Sequence, residues 1–379
     1  MDRLGIGVVG SAGVIGQKHA DEVAALSNTR LVAVHDLNSE VAKQQAIEYG
    51  AQFYGSLDDL LADPEIVAIT VATPHPLHLS VALQAFSAGK HVLTEKPITS
   101  TPSEADSMVE AAKKAGVTLG IVYQNRFRPE LLRIRELVEN DELGEIYRTV
   151  LDSASYRSQA YYDSGGWRGT WNGEGGGVLL NQGIHYLDMF QWLGGMPATV
   201  TGHVSALMHD IEVEDSASAL LEYPNGAHGF IHCTTVQAPS QTRLELWGEK
   251  GGVVVTDEKV VHFKSEIGLR EFSATEKDNP FAKLEVTDGP LLDKSPAGPT
   301  PLPISAANHQ DAISDFAQAI LEGRDPSAPG EEGVKGLELA ASIIYSGCIG
   351  EKVNLPIDRL AYDTLLGELQ GGRQLPAPS

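Results

Sequence analysis

The chain has 379 residues, enough for two domains with a sizeable core. Its 28 Lys and Arg stand against 51 Asp and Glu, a formal net charge of −23. That balance argues against nucleic acid or an anionic membrane surface as a partner. No apolar run is long enough to span a bilayer, and Cys233 and Cys348 alone give no disulfide framework, which suits a reducing, cytoplasmic setting.

Leu4 to Gly16 imitates a short signal core, but glycines interrupt it and it reads as strand, loop and helix rather than a targeting segment. Residues 1–124 alternate strand and helix patterns. Strands are expected at Leu4–Val9, Leu31–His35, Ile66–Ala72, His91–Thr94 and Thr118–Tyr123, and helices at Gln17–Leu26, Ser39–Tyr49, His78–Ala88 and Pro102–Ala115. The nearly unbroken apolar strands imply a parallel sheet covered on both faces. Residues 125–379 form a second unit. A helix over Pro129–Asn140 is followed by longer strands with period-two alternation at Ile146–Tyr156, Thr199–Ala206, Ala217–Tyr223, Ala227–Val236, Arg243–Gly248 and Val253–Thr256. Pro224-Asn225-Gly226 is a hairpin turn signal, so this sheet is expected to be mainly antiparallel. Thr287–Pro303 reads as a loop, Ala307–Leu321 and Gly330–Gly347 as helices, and Gly371–Ser379 as a frayed tail.

The chemistry-bearing residues collect at strand ends. Gly10, Gly13 and Gly16 follow the first strand and open the first helix, where glycines admit a pyrophosphate to the helix N-terminus. Such glycines also make ordinary tight turns; the position between strand and helix favours the dinucleotide reading, with Gly10, Ala12, Gly13, Val14 and Ile15 as phosphate contacts. Asp36 ends the second strand, where a carboxylate accepts from ribose hydroxyls and repels a 2′-phosphate, so NAD is expected over NADP. Thr73, Pro74, His75 and His78 belong to a rigid loop after the third strand and are expected along the nicotinamide side. Glu95-Lys96-Pro97 places an ammonium at the carboxyl end of another strand, where ligands of open α/β sheets bind. Asn181, His185 and Asp188 follow three glycines at helical spacing and are expected to share one face. Tyr161, Tyr162, Trp167, Arg168 and Trp171 crowd the segment before them; Trp167 and Arg168 are the expected carbohydrate contacts. No metal site is expected.

Together, the glycine-rich start, the acid after the second strand, the Thr-Pro-x-x-x-His loop, Ala-Gly-Lys-His-Val-Leu-x-Glu-Lys-Pro and Gly-Gly-Gly-Val-Leu-x-x-x-x-x-His-x-x-Asp resemble the Gfo/Idh/MocA oxidoreductases over nearly the whole chain. The resemblance implies a Rossmann doubly wound parallel sheet followed by an open-faced, mainly antiparallel β-sheet domain with helices, and assembly as a homodimer or homotetramer. It implies NAD(P)-dependent chemistry on sugars, cyclitols or nucleotide sugars. Lys96 matches the family's catalytic lysine, Pro97 a cis proline and His185 the helix histidine. Asn125 and Arg126 match the segment entering the second domain, and Glu95, Lys96 and Asn125 are expected near the cofactor. The substrate contacts implied are Lys96, Arg126, Trp167, Arg168, Asn181 and His185. Two departures stand out: the glycine loop is one residue longer before His19, and Asn181 replaces an aspartate that many inositol and sugar dehydrogenases carry. The expected reaction is oxidation or reduction of a secondary ring hydroxyl. An NAD-dependent glycosidase using transient oxidation, or a non-catalytic NAD- and sugar-binding sensor, are the alternatives.

Overall fold

The computed structural model describes residues 3–295 and 298–376. The N-terminal unit runs β1 (Leu4–Val9), α1 (Val14–Ala25), β2 (Thr29–His35), α2 (Ser39–Tyr49), β3 (Gln52–Phe53), α3 (Leu57–Ala62), β4 (Ala68–Val71), α4 (His78–Ser87), β5 (His91–Thr94), α5 (Pro102–Ala115) and β6 (Leu119–Ile121). All six strands are parallel, in the order β3-β2-β1-β4-β5-β6. The short β3 and α3 escape a periodicity reading because each is too brief to show a period. Every residue of β1 and β4 is buried, as a sheet flanked by helices requires. The ends of α5 show the local code: the Thr101 hydroxyl accepts from the Glu104 N–H, Pro102 starts the helix, and Gly116 closes it at φ +68°, a conformation that favours glycine.

A short 3-10 turn over Gln124–Phe127 leads to the second unit: α6 (Pro129–Glu139), β7 (Ile146–Tyr156), α7 (Gln159–Asp163), α8 (Trp171–Glu174) and α9 (Ile184–Gly194). Then follow β8 (Thr199–Ser205), β9 (Ser216–Glu222), β10 (His228–Thr234), β11 (Val236–Gly248), β12 (Gly251–Thr256), β13 (Val260–Lys264), α10 (Leu269–Thr275) and β14 (Thr287–Pro290). The chain closes with α11 (His309–Glu322), α12 (Gly330–Ile349), β15 (Val353–Asn354) and α13 (Arg359–Gln370). The nine-stranded sheet has the order β14-β13-β12-β11-β7-β10-β9-β8-β15; it is antiparallel except where β10 runs parallel to β7.

One face of this sheet packs on α9 and α12. Gly202 and Gly347 permit the close approach of α12 and β8: a Cβ on Gly202 would stand 2.5 Å from the Ile343 carbonyl oxygen. The other face is open, with Tyr147, Leu220 and Phe230 exposed.

Three expectations change. The Thr287–Pro303 segment begins as an edge strand rather than loop, pairing with β13; Pro296 and Ala297 within it lie outside the described residues. The tail expected from Gly371 is tied down as far as Leu375. Arg373 donates to the Cys348 carbonyl and Leu375 packs on the core, since the last turn of α13 points the chain back at α12; residues 377–379 lie outside the described residues. Finally, α11 returns to the first unit, where Phe316 and Ile313 join the core beneath β1 and β5, and Asn28 donates to the Ser314 carbonyl.

Candidate active site

Two regions at the carboxyl side of the parallel sheet carry the expected site residues. The first is the crevice between β1 and β4, where the strand order reverses, the usual ligand position in an open α/β sheet. Gly10 there has φ +84°, and a Cβ on it would lie 2.8 Å from the Ala72 backbone. A Cβ on Gly16 would fall 1.9 Å from the Gly10 carbonyl oxygen, so that glycine is required for helix-to-loop contact, not for ligand approach. The N-terminus of α1 has no side-chain cap, and Val14 is 87% exposed. Free N–H groups at an open helix start, over a backbone stripped of side chains, fit a pyrophosphate. Asp36 accepts from the Ala12 N–H at 2.9 Å and the Asn38 N–H at 2.7 Å. Each oxygen keeps acceptor capacity for a ribose hydroxyl. The donors and spacing therefore suit NAD.

The second region is a cavity of about 510 Å³ between the two units. Lys96, Asn125, Tyr161, Asn181, Gln182 and His185 line it beside Ser153, Ser155 and Thr234 from the sheet. The Lys96–Pro97 peptide bond is cis. Lys96 Nζ donates to the Asn181 carbonyl at 3.1 Å. Burial lowers the pKa of Lys96, while the nearby carboxylates of Glu95 and Glu174 work against that shift and favour the charged form. His185 is pushed down to about 3 by burial and by the Lys96 charge, so it is a neutral imidazole at physiological pH. Its Nδ1 is buried without a hydrogen-bond partner among the described residues.

Behind Lys96, Glu95 is a buried strut. Its Oε1 lies 2.9 Å from His19 Nε2 and 3.7 Å from His309 Nε2. Burial works to raise its pKa, but the hydrogen bond and charge of His19 prevail and hold it at about 2. Glu95 thus anchors the lysine's strand end to α1, with His309 of α11 beside it.

The structure places several expected site residues elsewhere. His78 is wholly buried, its Nδ1 2.9 Å from the Pro97 carbonyl oxygen and its Nε2 2.9 Å from that of Thr73. It braces two loops and has no surface for a cofactor. His75 is 7% exposed, with Nδ1 3.2 Å from the Glu174 carbonyl oxygen and its ring against Trp167, because the flanking prolines turn the imidazole inward. Thr73 and Pro74 stay at the crevice edge.

Arg126 is 2% exposed and does not line the cavity; it forms a two-pronged bond with Asp188, Nε to Oδ2 at 2.9 Å and Nη2 to Oδ1 at 2.6 Å. That pair, flanked by Tyr123, Trp192 and Glu332, pins α9 to the segment joining the units. Asp188 therefore leaves the face expected for Asn181 and His185. Asn181 also precedes α9, since the helix begins at Ile184, although it still reaches the cavity. Trp167 and Arg168 do not line the cavity; Arg168 lies over both Trp167 and Tyr161 and donates to the Tyr161 hydroxyl at 2.6 Å. Tyr161 reaches the wall instead, as does Tyr186 from α9.

Glu174 is a residue that sequence reasoning missed. It is 1% exposed; one oxygen accepts from the Gly169 N–H at 2.7 Å and the other from the Asn181 side-chain amide. Burial raises its pKa, and the Gly169 N–H, Asn181, Arg168 and Lys96 oppose that shift. So a carboxylate does stand beside the lysine, one residue behind Asn181. Its only sequence signal is an acid directly before the triple glycine. Because Asn181 Nδ2 is committed to Glu174 and Tyr161, its Oδ1 remains as an acceptor.

Models of two domains match the chain. One, an oxidoreductase family with an NAD-binding Rossmann fold, covers residues 4–123, and the GFO/IDH/MocA C-terminal domain covers residues 131–254. The 1,5-anhydro-D-fructose reductase of Ensifer adhaerens is 27% identical over 86% of this chain and 91% of its own. The scyllo-inositol 2-dehydrogenase (NADP(+)) of Bacillus subtilis is 28% identical over 91% and 94%. Among solved structures, the WlbA dehydrogenase of Bordetella pertussis, in complex with NADH and UDP-GlcNAcA, superposes with a TM-score of 0.76 at 28% identity, covering 94% of this chain and 100% of that one.

Proposed function

The chain belongs to the GFO/IDH/MocA family of NAD-binding oxidoreductases, and from that premise we propose that it oxidises, or in reverse reduces, a secondary ring hydroxyl of a sugar, glycoside, cyclitol or nucleotide sugar, using NAD. The observation that carries this reading is the shared cavity of Lys96 and His185, walled by hydroxyl and amide side chains. Relatives named for anhydrofructose and scyllo-inositol, and a structural neighbour solved with a nucleotide sugar, support the same substrate range.

Bound NAD supplies the acceptor for the carbon-bound hydrogen. The protein's part is charge and orientation. The Lys96 ammonium donates to the reacting oxygen and stabilises the negative charge that develops on it. The neutral His185 imidazole accepts a hydrogen bond from the hydroxyl. The negative charge developing on that oxygen opposes the burial and Lys96 charge that hold His185 down, so that the proton passes to it as the carbon-bound hydrogen leaves. Asn181 Oδ1, fixed by Glu174, accepts from a neighbouring hydroxyl and sets the ring's orientation. A screen of sugars, cyclitols and nucleotide sugars for NADH formation tests the proposal. Turnover is expected with at least one, and release of an aglycone from a glycoside with no net NADH would sink it.

One relative is named for NADP(+), so the ribose end is where this chain's coenzyme choice needs its own test. Asp36→Ala is expected to weaken NAD by about 10-fold and to raise the NADP-to-NAD ratio of kcat/KM by at least as much, since a charged hydrogen-bond acceptor is lost. An unchanged ratio would remove Asp36 from the ribose site.

A further inference from the structure

In so acidic a chain, an arginine with no acid beside it stands out. Among the described residues, every arginine has a carboxylate oxygen within 4.0 Å except Arg3, Arg157 and Arg168. Arg3 donates to the Thr29 and Leu26 carbonyls and closes a loop. Arg168 is bound to Tyr161, as described above. Arg157 lines the cavity, and among the described residues its guanidinium has one hydrogen-bond acceptor, the carbonyl of its neighbour Tyr156, at 2.9 Å from Nη1. A guanidinium carries five N–H donors, so most of this one's are unassigned.

The backbone of Arg157 is held on both sides. Its backbone N–H donates to the Thr235 carbonyl at 2.9 Å. Its own carbonyl lies 2.8 Å from His209 Nε2, whose Nδ1 is 2.9 Å from the buried Asp215. The guanidinium carbon packs 5.4 Å from the Tyr161 ring centroid. Apart from Arg157, the charged groups of the cavity wall are Lys96 and Asp257, and Asp257 accepts from the Thr242 N–H.

Serine, threonine and amide groups suffice to hold a neutral polyol. A guanidinium packed against an aromatic ring in the cavity wall, with open donors, is different. Covering it with a neutral ligand removes water without replacing the charge partner, whereas a carboxylate or phosphate matches its fork in two-pronged geometry. We propose that the substrate carries an anionic substituent, a carboxylate or a phosphate, which seats on Arg157 while the hydroxyl to be oxidised lies at Lys96 and His185. The proposal rests on the reading of this cavity as the site of sugar oxidation.

The test uses the full chain with NAD and compares methyl β-D-glucuronide and glucose 1-phosphate with neutral methyl β-D-glucoside, reading kcat/KM from NADH formation. At least one charged probe is expected to exceed the neutral glycoside by roughly 10- to 100-fold, the span of a charge-assisted hydrogen bond. Which probe wins separates carboxylate from phosphate. Arg157→Gln is expected to reduce that preference by a similar factor, mainly through KM, and Arg157→Lys to retain part of it, because the charge survives and the fork does not. The proposal is overturned if the neutral glycoside is oxidised as well as both charged probes, or if Arg157→Gln leaves the preference intact. NADH formed from neutral sugars alone would remove this inference and leave the dehydrogenase reading standing. No NADH from any sugar would remove both.

Discussion

Lys96→Ala is expected to lower kcat by about 10²- to 10³-fold, the usual cost of deleting a donor aimed at a developing oxyanion. NADH affinity, followed by its fluorescence in titration, is expected to stay near the wild-type value. Two features of the site set this expectation. The ammonium is held over the cavity by the Asn181 carbonyl at 3.1 Å, and Glu95 and Glu174 oppose the tendency of burial to discharge it. The same change removes no hydrogen bond from the glycine crevice, where the Gly10 N–H donates to the His35 carbonyl and the Asp36 carboxylate accepts from the Ala12 and Asn38 N–H groups. A variant that keeps near-normal kcat on a true substrate would show that Lys96 has no part in the chemistry. Loss of NADH affinity together with activity would instead make it a cofactor residue.

The second large effect concerns stability. Asp188→Ala is expected to destabilise the fold by about 3–5 kcal/mol, because it strands the Arg126 guanidinium without its counter-charge in an interior site. Glu332, at 3.3 Å from Nη2, offers only a partial substitute. Denaturant unfolding gives the measurement. The paired replacement Arg126→Met with Asp188→Leu is expected to recover much of the loss, since apolar groups of similar size carry no desolvation cost. If Asp188→Ala unfolds within 1 kcal/mol of wild type, water reaches the guanidinium and the pair is not the strut described above.

Asp188 also shows how far a spacing argument reaches. Residues 181, 185 and 188 stand four and three apart, which places them on one face only if one helix contains all three. The helix starts at Ile184, after a turn in which the Asn181 N–H donates to the Gly177 carbonyl. Asn181 is thereby free to turn its amide toward Glu174, and Asp188 is left to Arg126. Arg126 itself was legible as a residue at the junction of the two units, yet only burial distinguishes a substrate clamp from a structural ion pair.

The sequence alone determined the features written in local code. Apolar runs buried on both faces defined β1, β4 and β5. Glycines at a strand-to-helix junction marked the crevice, an acid at the end of β2 marked the proposed ribose position, and the Glu95-Lys96-Pro97 and His185 motifs marked two residues of the cavity wall, Lys96 and His185. These depend on neighbours within a few residues, so they survive reading in one dimension. Tertiary structure decided what depends on which distant groups meet. It brought Glu174 against Asn181, gathered His19 and His309 around Glu95, turned His75 and His78 inward, and set Arg157 in the cavity wall without an acid to pair with. Burial and charge pairing are properties of assembled surfaces, and no spacing along the chain encodes them.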